Sequence, residues 1–93
     1  MTYELAFLEA ALKEWHRLDS SIQKQLKKKL AERLEQPHVP SARLAGSANR
    51  YKIKLRSAGY SLVYEVRDKQ LLVLVIAVGR RDRNAVYRLA DKR

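Results

Sequence analysis

No cysteine occurs in these 93 residues, so neither a disulfide framework nor a thiolate metal site can be built. The two imidazoles, His16 and His38, fall on segments of different character, and neither a zinc site nor a paired-histidine ribonuclease arrangement is expected from them. Anions are scarce as well: ten Asp and Glu stand against twenty Lys and Arg. Asp68, Asp82 and Asp91 are isolated among cations, which does not make the oxygen-rich cage of a divalent ion. Hydrophobic runs are short. The longest, Leu71 to Val78, is far below the roughly 20 residues of a membrane span, and Met1 is followed by Thr2, Tyr3 and Glu4 rather than a basic leader. A cytoplasmic location without membrane association is expected. Of the three glycines and two prolines, those between Pro37 and Asn49 belong to a connector of ordinary loop composition, and no linker divides the chain. Residues 1–93 are therefore read as a single domain, large enough to bury roughly 60–70% of its extended-chain surface.

What is abundant is positive charge, a formal +10 that favours a polyanionic partner and is silent on fold. Residues 1–48 hold eight cations and six anions, whereas residues 49–93 hold twelve and four, so the partner should meet the C-terminal half. Hydrophobic periodicity divides the chain further. Thr2 to Phe7 alternates, with Tyr3, Leu5 and Phe7 on one side, as a half-buried strand does. Leu8, Ala11, Leu12, Trp15 and Leu18 then recur at helical spacing. Ser20 with Gln23 three residues on has the form of a capping box opening a second helix. Its stripe of Ile22, Leu26, Leu30 and Leu34 is ended by Pro37, because the residue before a proline is driven out of helical geometry. After the connector, with a short strand near Arg43 to Ala45, Arg50 to Arg56 alternates strictly: Tyr51, Ile53 and Leu55 against Arg50, Lys52, Lys54 and Arg56. Tyr60 to Arg67 and Leu71 to Val78 continue an antiparallel meander through short turns, Gly79 closes it, and Arg80 to Asn84 form a charged corner. Ala85 to Lys92 makes a last short helix with Val86, Leu89 and Ala90 inward. The expected fold is α+β: an N-terminal strand, a two-helix hairpin packed on a small antiparallel sheet, and a short C-terminal helix.

Packing Tyr51, Ile53 and Leu55 against the helices forces Lys52 and Lys54 onto an uncovered face that no core requirement explains. Arg50, Lys52, Lys54 and Arg56 are either a solvated edge that resists strand pairing or a phosphate-binding surface. With only Glu65 and Asp68 nearby, an anionic ligand would relieve their repulsion. Lys27, Lys28 and Lys29, wrapped around a helix that also carries Glu32 and Glu35, are read as solvent contacts. Arg80, Arg81 and Arg83 either grip phosphate oxygens bidentately or simply solubilise a loop. Tyr87 taken alone reads first as a core residue, with base stacking and proton transfer as alternatives. His16 and His38 are read as bystanders.

Tyr51-Lys-Ile-Lys-Leu-Arg-Ser-Ala-Gly-Tyr60, Leu62-Val-Tyr64 and Val78-Gly-Arg-Arg-Asp-Arg83 followed by Val86-Tyr87 resemble the RelE toxins. So do Ala11-Leu-Lys-Glu-Trp15 and Gln25-Leu-Lys-Lys-Lys-Leu30, and the similarity runs from about Leu5 to about Ala90 with no apparent gap. The resemblance implies the RelE-like fold and a toxin of a bacterial type II toxin–antitoxin pair. It also implies a ribosome-dependent endoribonuclease that cuts messenger RNA in the A site of the 30S subunit. There a ribose 2′-hydroxyl attacks the adjacent phosphorus, leaving 2′,3′-cyclic phosphate and 5′-hydroxyl ends, with no metal and no cofactor. A cognate RelB-like antitoxin would inhibit the toxin, and DNA would be met only indirectly through it. Charge complementarity makes that antitoxin acidic, covering the basic face or displacing the last helix.

Carried over by position, the resemblance implies that Lys52 and Lys54 offset phosphate charge, that Arg81 stabilises the transition state and leaving oxygen, and that Tyr87 is the base or orients the 2′-hydroxyl. Arg50, Arg56, Ser61, Arg80 and Arg83 would meet RNA or ribosome. Two positions depart from the family pattern: Ser61 stands where an arginine is usual and Ala45 where many members carry another. Both remove cations from the phosphate site and imply attenuated activity. Two other readings attach to the same fold, a ParE-like toxin that binds DNA gyrase and a non-catalytic RNA-binding module; the set Lys52, Lys54, Arg81 and Tyr87 argues against the first.

Overall fold

Alternation decides how β2 (Arg50–Leu55) sits: Tyr51, Ile53 and Leu55 are buried while the cations between them stay partly exposed. In the computed structural model, which describes residues 2–80 and 85–93, β2 is the edge of a four-stranded sheet with β1 (Glu4–Phe7), β3 (Tyr60–Arg67) and β4 (Leu72–Arg80). The order is β1-β4-β3-β2. β2, β3 and β4 form the expected antiparallel meander, and β1 joins β4 in parallel, so the sheet is mixed. A pairing between residues 4–7 and 72–75 leaves no trace in local periodicity.

Helices α1 (Glu9–His16) and α2 (Ser20–Glu35) cover one face. Ala11 and Trp15, one turn apart on α1, and Ile22, Leu26 and Leu30 along α2 pack on Tyr51, Ile53, Leu62, Tyr64, Val73 and Val75. At roughly 1.5–3 kcal/mol per large apolar side chain fully buried, this layer carries most of the stability. The opposite face, expected to be uncovered, is partly roofed by α3 (Ala85–Asp91): Val86 and Ala90 pack on Val63, Leu74, Ile76 and Ala77. A β-bulge prepares that seat. Val63 opposes Ala77 but Tyr64 opposes Val75, so Ile76 and Ala77 fall on the same side.

Several boundaries differ from expectation for identifiable reasons. β1 begins at Glu4, and Leu5 is exposed although Tyr3 and Phe7 pack on the helix-side core. Leu12 is exposed because α1 turns its buried Ala11–Trp15 line, not Leu12, to the sheet. The capping box does not form: Asp19 is the N-cap, and the Gln23 amide donates instead to Trp15 O at 2.8 Å, a carbonyl at the end of α1 that also accepts from Leu18 N. The strand near Arg43 reduces to a single bridge to Tyr51 after a 3₁₀ turn at Pro40–Ala42. Leu71 leaves the strand for a left-handed conformation (φ 51°), and β4 continues through Gly79 to Arg80. Leu89 is exposed, while Val86, Tyr87 and Ala90 are the α3 side chains that face the sheet.

A chain of aromatic and polar groups fixes the connector. The Tyr64 hydroxyl donates to Pro37 O at 2.7 Å and accepts from Arg33 at 2.8 Å, while its ring stacks on Tyr51. Burial pushes the Tyr64 hydroxyl above its ordinary pKa, more than the Arg33 bond and charge pull it down. His38 sits between the Tyr51 hydroxyl (3.1 Å) and Asp68 (2.7 Å), and Tyr3 donates to the same carboxylate at 2.6 Å.

Candidate active site

Strand register sets the first two groups. Lys54 lies opposite Ser61 and Lys52 opposite Val63, and directly opposed residues share a face, here the one under α3. Tyr87, in the first turn of α3, reaches over this pair of strands: its hydroxyl lies 3.0 Å from Ser61 Oγ. Lys52 Nζ stands 6.0 Å from the Tyr87 ring centroid, at the limit of a cation–π contact. Lys52, Lys54 and Tyr87, with Leu44, Ala45, Arg88 and Asp91, line an open cleft of about 450 Å³. Of the residues expected at a phosphate site, the structure brings these three together and places Ala45 on the wall.

The remaining candidates divide. Arg81 and Arg83 lie outside the described residues. Arg50 is tied into the scaffold instead of facing a ligand: Nε donates to Glu65 at 3.1 Å and one terminal nitrogen to Ala90 O at 2.6 Å, locking the end of α3 to the sheet. Ser61, expected among the RNA contacts, has no accessible surface; the register does put it on the lysine face, but Tyr87 covers it. Its chemistry is therefore to hold the Tyr87 hydroxyl from beneath. Arg80 lies against the Tyr60 ring at 5.7 Å, in a separate groove with Glu14, Arg17 and Leu18. Arg56 is exposed just after β2 and shares a depression with Lys52 and Lys54.

Arg88 and Asp91 were missed as cleft residues, although Asp91 follows Tyr87 at i+4 and so shares its helix face. Arg33, which donates to both Tyr64 and Lys52 O, carried no signal within its lysine-rich helix. His16 ends α1 in an exposed position and His38 belongs to the tyrosine chain, so neither histidine enters the cleft. Among the described residues no group of three or more His, Cys, Asp or Glu is placed to hold a metal ion, and no helix is long and apolar enough to cross a membrane.

Prearranged ammonium groups beside a fixed hydroxyl suit a reaction in which negative charge grows on a phosphorus centre, because such cations stabilise the transition state more than the ground state. Comparisons with known proteins point the same way. A family described as the ParE toxin of the type II toxin–antitoxin system, parDE, matches residues 5–85. The mRNA interferase toxin RelE of Escherichia coli (strain K12) is 54% identical over 93 residues, covering 100% of this chain and 98% of that protein. An arginine-to-alanine double variant of E. coli toxin RelE in the free state superposes with a TM-score of 0.91 at 51% identity, over 99% of this chain and 97% of that one. A chain of the intact E. coli RelBE toxin–antitoxin complex gives 0.83 at 52% identity, over 86% and 98% respectively.

Proposed function

The chain belongs to the family of ParE- and RelE-type toxins of type II toxin–antitoxin systems, and on that premise we propose that it is a toxin that cleaves messenger RNA. It acts in the cytoplasm as a single domain spanning residues 1–93, cuts in the ribosomal A site and is restrained by a cognate RelB-like antitoxin. The observation that carries the reading is the meeting of Lys52, Lys54 and Tyr87 in one cleft, with Ser61 bonded to the tyrosine hydroxyl. E. coli RelE, alike along its whole length, is an mRNA interferase, and a solved relative is a RelBE complex.

In this mechanism the scissile phosphate enters the cleft beside Lys52 and Lys54, whose charges offset those of the phosphate oxygens as the 2′-oxygen attacks. Tyr87 takes the 2′-hydroxyl proton or orients it, with Ser61 fixing the direction of its remaining lone pair. As the bond from phosphorus to the 5′-oxygen breaks, Arg81 stabilises that leaving oxygen, which takes a proton from solvent to become the 5′-hydroxyl, and a 2′,3′-cyclic phosphate remains. No step uses a metal or cofactor. Ser61 and Ala45 leave fewer cations around the phosphate, so activity is attenuated.

Incubation with programmed ribosomes, followed by mapping of both messenger ends, tests the reading. Cleavage within the A-site codon, cyclic phosphate ends and resistance to chelation short of ribosome disassembly are expected. Intact messenger together with inhibited supercoiling by gyrase would support the ParE-like alternative.

A further inference from the structure

Three depressions along the free side of β2 share Lys54. One is the Tyr87 cleft. The second adds Arg33, Ser41 and Arg56 beside Lys52, and the third adds Gln25, Lys29 and Ser57 beside Arg56. β2 ends the sheet order, and on its free side the described residues offer one isolated bridge, Arg43 to Tyr51. Past that bridge α2 runs close by, and the Arg33 guanidinium donates to Lys52 O at 3.2 Å and to the Tyr64 hydroxyl at 2.8 Å.

Those two bonds fix Arg33 while using only part of a five-donor fork. Lys29 precedes it by one helical turn and so lies on the same side of α2. Lys52 and Lys54 hold alternate positions of β2 and Arg56 follows in the turn just past its end, so the cations are spread along and beyond the strand end, farther than a single phosphate spans. Among the described residues no carboxylate lines either outer depression. Cations from a helix and a strand thus converge on an elongated surface, which suits successive phosphates better than one small anion or an acidic side chain.

We propose that the edge of β2 with Lys29 and Arg33 of α2 forms a shelf that binds the sugar–phosphate backbone of single-stranded RNA leading away from the cleft. The proposal rests on the nuclease reading for its ligand. The shelf reads no bases: it holds the strand in register while Lys52, Lys54 and Tyr87 address one phosphate, and it gives two of the lysine-rich helix's cations different roles, Lys29 on the shelf and Lys27 in solvent.

The test is anisotropy titration of a 2′-O-methyl twelve-nucleotide RNA, which binds without being cut, over a salt series. Arg33 is left in place because it also ties α2 to the sheet. In Lys29→Ala/Arg56→Ala, loss of two phosphate contacts should lower the slope of log K against log salt by about 1.4, at about 0.7 per contact for single strands. Lys27→Ala should leave that slope unchanged. An unchanged slope in the double variant, an equal fall in Lys27→Ala, or no binding by the parent chain overturns the shelf. So does a double variant that loses antitoxin capture but keeps its RNA slope, which would assign the surface to protein. Since uncleavable RNA reports binding alone, the shelf can fail while messenger cleavage stands, and the converse result is equally readable.

Discussion

Under α1 and α2, strands β2, β3 and β4 present Tyr51, Ile53, Leu62, Tyr64, Val73 and Val75, and the face closes as a continuous apolar layer. Under α3 the same strands present Lys52, Lys54, Ser61 and Val63, and a helix of two turns closes only part of the face. What anchors α3 is largely polar. Arg50 bonds Glu65 and Ala90 O, and Arg93 bonds both Glu14 carboxylate oxygens and Ile76 O. Stability is concentrated on one side of the sheet, and on the other a lightly held helix carries Tyr87 over the lysines. Elements with few buried apolar contacts open at lower free energy than the core, so α3 is the part of the described fold that a partner can move at least cost.

The separation can be broken from either side. Tyr64→Ala removes a fully buried aromatic from the helix-side layer, together with its bonds to Pro37 and Arg33. It should cost about 3–5 kcal/mol in urea unfolding, as large aromatic truncations do, against a total of only about 5–15 kcal/mol. Lys52→Ala on the opposite face should shift stability by less than about 0.5 kcal/mol and lower A-site cleavage by about 10²- to 10³-fold. If Lys52→Ala melts the fold as Tyr64→Ala does, stability and chemistry are not divided between the faces.

Arg50→Ala falls between these extremes. It removes an ion pair with both side chains mostly buried and a charged hydrogen bond to the end of α3, and about 1.5–3 kcal/mol of stability should go with them. The loss should depend on pH. Burial by itself would raise the Glu65 pKa, but bonds from Arg67 and Arg50 and their charges outweigh it and hold the carboxyl below its ordinary 4.5. Because the folded carboxyl is the stronger acid, its contribution is complete above that ordinary value and is lost as pH falls through the depressed one. The gap between parent and Arg50→Ala should therefore be widest near neutrality and shrink in acid; a gap independent of pH would place the Arg50 contribution in Ala90 O alone.

Elements governed by short-range pattern were legible in the sequence: the alternation of Tyr51, Ile53 and Leu55, the Ile22–Leu26–Leu30 stripe, the stop before Pro37, and the shared face of Lys52, Lys54 and Ser61. Features set by distant partners were not. Arg50 looked like its neighbours Lys52 and Lys54 because its carbonyl partner is 40 residues away, and Ser61 looked accessible because its cover, Tyr87, arrives from α3. The bulge that aligns Ile76 with Ala77 is equally invisible in an unbroken apolar run. Charge alternation thus located a surface, but tertiary hydrogen bonds divided its cations between scaffold and cleft.

The finest test of that division lies at Ser61, where a buried hydroxyl meets the Tyr87 hydroxyl at 3.0 Å. A single neutral hydrogen bond contributes about 1 kcal/mol, so Ser61→Ala should slow cleavage by about five- to tenfold while the protein remains folded. The larger loss on Tyr87→Phe is expected whether or not Ser61 matters, so the decisive measurement is the double variant. If Ser61 works only by aiming the Tyr87 hydroxyl, removing it from a chain that already has phenylalanine at 87 costs nothing further in rate. The coupling between the two sites then equals the full Ser61→Ala effect, as expected for groups in direct contact. Independent, multiplicative losses would mean that Ser61 supports the cleft by packing beneath α3 rather than by holding the tyrosine. Ser61→Thr, which keeps the hydroxyl, should recover the parent rate in the first case and fail to do so in the second.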